Sequence, residues 1–168
     1  NSLFARLFDA WEAVLQFVDL PQGIDASLTG PLGQVPEDLR GITGHLFAHA
    51  RVNWGCTALV QASDRASGCP RTMQVVGDQG QLEINDNAYQ LRDAAGTLLD
   101  EHQATNPSTD LADLIAAQWQ QLIDRNPAAA TSQSDHGHAL ACCLACQLSA
   151  RTGQAESPAK FLEIHGLT

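Results

Sequence analysis

The sequence predicts an α+β domain: a predominantly antiparallel, open sheet of six to seven strands with helices packed on one face. Three observations carry that expectation. The chain opens on a stretch whose apolar residues recur at three- and four-residue steps. From Ile24 to about His102 it changes to short runs, several alternating in period two, separated by Gly, Pro, Asn and Asp. Beyond that point helical spacing returns and holds to the end.

The opening helix places Leu3, Phe4, Leu7, Phe8, Trp11, Val14, Leu15 and Val18 on one face, with Arg6, Asp9, Glu12 and Gln16 opposite. Ser2 is positioned to cap its start, and Pro21 with Gly23 stops it. Strands are expected at Ile24 to Thr29, Ile42 to Val52, Thr57 to Ser63, Thr72 to Val76, Gln81 to Ile84, Ala88 to Arg92 and Leu98 to Glu101. Short links holding Gly77, Gly80, Asn85, Asp86 and Gly96 suit hairpin turns, so the strands are expected to pair antiparallel in one continuous sheet. Gly30 to Pro36 reads as an irregular loop, because its two prolines and two glycines interrupt any ladder. A helix is expected from about Asp110 to Asp124, a second from about Asp135 to Thr152 with Gly153 as its left-handed cap, and a short last one starting at Pro158.

At 168 residues the chain holds one domain with a real core, so residues 1–168 are expected to form a single unit. Nineteen acidic residues against nine basic ones give a formal charge of -10, and no Lys/Arg stripe stands out; a field of that sign repels phosphate backbones and argues against nucleic acid. No apolar run is long enough for a membrane span and no secretion signal opens the chain, which points to the cytoplasm. Five cysteines, three of them crowded at Cys142, Cys143 and Cys146, fit a reducing compartment better than a disulfide framework. The first residue is Asn1, and helical patterning begins within two residues of it, as expected where a longer protein was cut.

Two constellations invite a chemical reading. His138, Cys142 and Cys146 fall one turn apart on a helix, a stripe of three potential metal ligands. One straight helix does not wrap a tetrahedral ion, however, and free Cys also packs as a small apolar residue, so no metal is expected. His45 and His49 share a strand face that Arg51 continues. This set either hydrogen-bonds a polyol, if the face borders a cleft, or forms a polar sheet surface turned to solvent or to a second subunit. No G-x-S-x-G elbow, phosphate-binding loop or strand–GxGxxG–helix occurs anywhere in the chain.

Three segments, in order, resemble the C-terminal domain of the glucose–fructose oxidoreductase / inositol dehydrogenase (Gfo/Idh/MocA) family. Val76-Gly-Asp-Gln-Gly-Gln-Leu82 is similar to that family's G-x-x-G-x-L hairpin. Leu148-Ser-Ala-Arg-Thr-Gly-Gln154, followed by Ser157-Pro158, resembles its closing helix and ending. The opening helix with Asp9, the stop near Pro21 and the strand from Ile24-Asp25-Ala26 resemble its H-x-x-D helix and first sheet strand.

The resemblance implies an oxidoreductase of two domains, in which a Rossmann domain outside this chain binds NAD or NADP and none is bound here. It implies that this half supplies contacts to a small sugar or polyol and that its open sheet face meets a second copy in a homo-oligomer. Counting back from Asp9 puts Arg6 where the family carries its catalytic His, and Ser2 where many members carry an Asp. Arg6 and Asp9 are therefore the candidate catalytic positions, and His45, His49 and Arg51 the candidate substrate contacts. An arginine stays charged and is a poor base, but it can clamp a carboxylate or phosphate; equally, it can be a surface arginine paired within its helix. Asp9 reads either as a site residue or as half of a salt bridge or helix-to-helix hydrogen bond. A different class of function uses the same scaffold: a self-associating structural or binding module without redox chemistry.

Overall fold

The structure, a computed structural model, describes residues 2–31, 33, 35–66, 71–104 and 136–166. These fall into two compact units, Asn1–Ser67 with Gln133–Thr168 and Gly68–Ser132. The expected helix at Asp110 to Asp124 lies outside the described residues.

In the first unit, α1 (Leu3–Val14) starts where Ser2 Oγ accepts the Ala5 N–H at 3.2 Å. Its apolar stripe buries Leu3, Leu7 and Trp11 completely, each worth about 2 kcal/mol in area removed from water. Strands β1 (Gly23–Thr29), β2 (His45–Arg51) and β3 (Thr57–Ser63) form an antiparallel ladder in the order β1-β2-β3. Alternation in β2 is complete: Leu46, Ala48 and Ala50 are buried, while His45, Phe47, His49 and Arg51 are exposed. The strand starts later than Ile42. Gly44 sits at φ +118 with its N–H on Asp64 Oδ1 at 2.8 Å, and that left-handed residue turns the chain just before the ladder begins.

Helix α2 (His136–Thr152) packs against β1 and α1. Ala139, Cys142, Cys143, Ala145, Cys146 and Ser149 are all buried. The first five share one core with Leu3, Leu7, Trp11, Ile24, Leu46, Ala48 and Val60. Gly153 follows at φ +68 and ends the helix as expected. The free edge of β1 is closed from this side: Ser149 Oγ accepts the Ala26 N–H at 2.9 Å, and Ile24 exchanges backbone hydrogen bonds with Glu156 at 2.8 and 2.9 Å. Helix α3 (Pro158–His165) then packs on α2 through Leu162 and Phe161.

The second unit is a four-stranded meander of β4 (Thr72–Gly77), β5 (Gly80–Asn85), β6 (Ala88–Asp93) and β7 (Leu98–Gln103), each strand antiparallel to the next. Register puts Met73 opposite Ile84, Val75 opposite Leu82, Leu82 opposite Leu91 and Ile84 opposite Tyr89, so the apolar residues share one face. Arg71 Nε bonds Asp86 Oδ1 at 2.7 Å beside the β5–β6 turn.

All seven expected strands are present and antiparallel, and the α+β class with helices on one sheet face is what the first unit has. The expectation of one continuous sheet is corrected, because among the described residues the ladders number two, of three and four strands. Among the described residues no helix is long and apolar enough to cross a membrane.

The β4–β5 hairpin separates the roles of its two glycines. Gly80 has φ +148, and a Cβ there would run into the carbonyl oxygen of Arg92. Gly77 keeps an ordinary φ and has open space where a Cβ would go, so a positive φ is required only at Gly80. In urea unfolding, Gly80→Ala is expected to destabilise the chain by about 2 kcal/mol or more, and Gly77→Ala to be neutral or slightly stabilising.

Candidate functional site

The helix α1 carries the first candidate pair. Arg6 and Asp9 lie three residues apart and so share a side of the helix. Arg6 is half-buried, and its Nη1 donates to the Ala66 carbonyl at 3.3 Å, in the turn just after β3. Ser63 Oγ organises that turn by accepting the N–H groups of Arg65 and Ala66 at 3.0 and 3.2 Å. Arg6 therefore reaches across to a neighbouring element instead of pairing within its own helix. Asp9 is exposed. One carbonyl contact occupies only part of a five-donor guanidinium, which leaves Arg6 chemically suited to an anionic group and unsuited to taking a proton.

His45, His49 and Arg51 occupy the exposed face of β2, the side of the sheet turned away from the helices. Their neighbours by register are Thr29 and Ser63 for His45, Asp25 and Leu59 for His49, and Gly23 and Thr57 for Arg51. Arg51 folds over the backbone of Gly23, where a Cβ would sit 3.3 Å from Nη2. Phe47 and Leu59 are 47% and 66% exposed on the same face. The structure thus holds the two candidate sets on opposite sides of one sheet: Arg6 and Asp9 on the helix side, His45, His49 and Arg51 on the open side. No single site contains both.

Cysteine thiols on α2 are part of the core. Burial pushes the Cys142 and Cys143 thiols far up, and pushes Cys146 up to about 12, partly offset by the Trp11 indole beside it. Trp11 Nε1 is itself buried without a well-formed hydrogen bond, and sulfur is a weak acceptor. His138 is half-buried at the start of the same helix. Among the described residues no group of three or more His, Cys, Asp or Glu is arranged to hold a metal.

Two features were not legible as sites in the sequence. His136 Nδ1 lies 2.9 Å from Glu12 Oε1, with the Phe8 ring 6.0 Å from the imidazole, joining α1 to the start of α2 across 124 positions. Only the helical phase of Glu12 hinted at it. The second is Trp54, which is 95% exposed at a hairpin whose Asn53 and Gly55 signal a turn without revealing what the turn displays.

Comparison with known proteins supports the fold. An oxidoreductase from Thermotoga maritima matches with a TM-score of 0.58 at 15% identity over 92% of this chain and 43% of its own. A UDP-N-acetylglucosamine 3-dehydrogenase from Acidithiobacillus ferrooxidans matches at 0.53 and 13% identity, over 92% and 46%. An oxidoreductase domain protein from Kribbella flavida matches at 0.53 and 15%, over 80% and 44%. The chain spans less than half the length of each. At these identities the likeness is one of fold, and it agrees with the C-terminal-domain fold that the sequence resemblance implies. No protein-family model and no curated protein matches the chain.

Burial separates the cysteines by reactivity. Brief alkylation of the folded chain at pH 8, read by peptide mass spectrometry, is expected to label exposed Cys56 and to spare Cys142, Cys143 and Cys146. Because burial raises these three thiols, their labelling is expected to stay slow as pH rises until the fold opens. Fast labelling of any of the three at pH 8 contradicts the core described here.

Proposed function

We propose that this chain is the substrate-side and oligomerisation half of a nicotinamide-dependent oxidoreductase of the Gfo/Idh/MocA type, acting on a sugar or polyol in the cytoplasm. The observation that carries the reading is the two-sided construction of the β1–β2–β3 sheet, in a fold shared with oxidoreductases more than twice as long. Its helix side carries Arg6 and Asp9, where the family resemblance puts catalytic residues. The other side carries Phe47 and Leu59 among polar residues, an exposed partly apolar face of the kind a second copy covers.

NAD or NADP is assigned to a Rossmann domain outside this chain, because no glycine-rich strand–helix turn here could cradle a pyrophosphate. In this reading Arg6 orients an anionic or strongly polar substrate group, and proton transfer falls to another residue of the full enzyme. His45, His49 and Arg51 serve the subunit contact instead of the substrate, since they lie on the open side of the sheet.

A second reading draws on Arg6 itself. With a charged guanidinium where the family has an imidazole, the scaffold is also suited to a self-associating binding module without redox chemistry.

Dinucleotide titration followed by fluorescence separates these readings. The chain alone is expected to bind neither NADH nor NADPH, and the product of the whole gene to bind one of them. Tight binding by the chain alone contradicts the division into two halves. Failure of the whole product to bind either dinucleotide contradicts the oxidoreductase and favours the module.

A further inference from the structure

The β2–β3 hairpin places its least expected residue at its tip. Val52 N donates to Cys56 O at 2.9 Å and Cys56 N to Asn53 O at 3.3 Å, closing a tight turn with Trp54 at φ 65, ψ 24 and Gly55 at φ 77. Such turns favour Asn, Asp or Gly at both central positions, because a Cβ is crowded in the left-handed region. Trp54 is the one non-glycine residue with positive φ among the described residues. Its ring is also 95% exposed, whereas Trp11 is fully buried. Two costs, backbone strain and an indole left in water, therefore meet at one residue.

The neighbouring segment holds the hairpin backbone in place. Gln22 N donates to Arg51 O at 2.8 Å and Gln22 Nε2 to Asn53 Oδ1 at 2.6 Å, tying the hairpin to the segment that follows α1. Between them lies an open cleft of about 340 Å³ bordered by Gln16, Phe17, Asp19, Asn53, Trp54 and Cys56. Phe17 is 47% exposed, which gives the cleft a second aromatic ring. The cleft lies beyond the last turn of α1, whereas Arg6 is in the first turns of a helix about 18 Å long, so it is separate from the Arg6–Asp9 side.

Charge selects the ligand. Among the described residues lining the cleft Asp19 is the only ionic side chain, with no Lys, Arg or His, and the chain carries -10. Anions are repelled on every count. An indole is the best of the side-chain rings at attracting a cation to its face, and a carboxylate nearby completes the attraction. The size suits a small head group; a protein partner needs about 800 Å² on each side, beyond what this cleft presents. We propose that this cleft binds a small organic cation, an alkylammonium head received by Trp54 and Phe17 and balanced by Asp19. The inference does not depend on the oxidoreductase reading.

Choline chloride titrated into the chain, followed through the ¹H–¹⁵N signals of the tryptophan indoles and of the Gln16, Asn53 and Cys56 backbone amides that report in every variant, tests it. The control ligand is 3,3-dimethyl-1-butanol, choline's neutral isostere, at matched ionic strength. Choline is expected to shift the Trp54 signal saturably, with the isostere about tenfold weaker or more. Asp19→Asn is expected to weaken choline about threefold, as for one exposed ion pair, and Trp54→Ala to abolish binding while the buried Trp11 signal stays in place as the check on folding. No saturable shift, equal binding of the isostere, or choline binding that survives Trp54→Ala overturns the proposal.

Discussion

The architecture of the first unit depends on how closely α2 approaches the sheet and α1. That approach is possible because its inward positions are Ala139, Cys142, Cys143, Ala145, Cys146 and Ser149, side chains short enough to fill the interior without pushing the layers apart. A larger residue at these positions would force off-rotamer packing, typically at about 1–3 kcal/mol. Close approach also lets Ser149 reach the Ala26 N–H, so an edge strand that would otherwise offer its backbone to another chain is closed by a side chain and by Glu156. A buried N–H without its partner costs about 1–3 kcal/mol, comparable to losing one of the Leu contacts of α1. The cysteines follow from the same constraint: they are core residues whose thiols burial keeps protonated.

Among the described residues of the first unit, α1 and α2 pack on one side of the sheet, and the side chains of β2 on the other side are exposed. The face carrying His45, Phe47, His49, Arg51 and Leu59 is a consequence of that one-sidedness, and so is its separation from Arg6 and Asp9. A substrate group held by Arg6 and a second copy placed on the open face would not compete for the same surface. That division gives the proposed function its physical form.

Most of the fold was legible because local periodicity and tertiary burial agree. The β2 strand alternates in sequence and in burial, α1 starts at Ser2, and Gly153 ends α2, each for a reason confined to a few residues. What was not legible is non-local. The split into two ladders depends on what β3 and β4 pair with, and strand alternation is the same in one sheet or two. The polar set His45–His49–Arg51 could be placed on one face but not on a particular side of the sheet, since that depends on where α2 lands some 90 residues later. The display of Trp54 is not legible in the sequence because Asn53 and Gly55 account for the turn without it. Gly77 illustrates the opposite error, a glycine that fits a motif but whose conformation any residue can adopt.

In the proposed function, copies of this chain meet through the open face of β1–β2–β3. A dilution series of ¹H–¹⁵N spectra tests it most directly. Signals of Phe47, His49, Arg51 and Leu59 are expected to move with protein concentration while those of Leu3, Leu7 and Trp11 do not. Signals that stay fixed across the whole face, or that move on the α1 side instead, would contradict it.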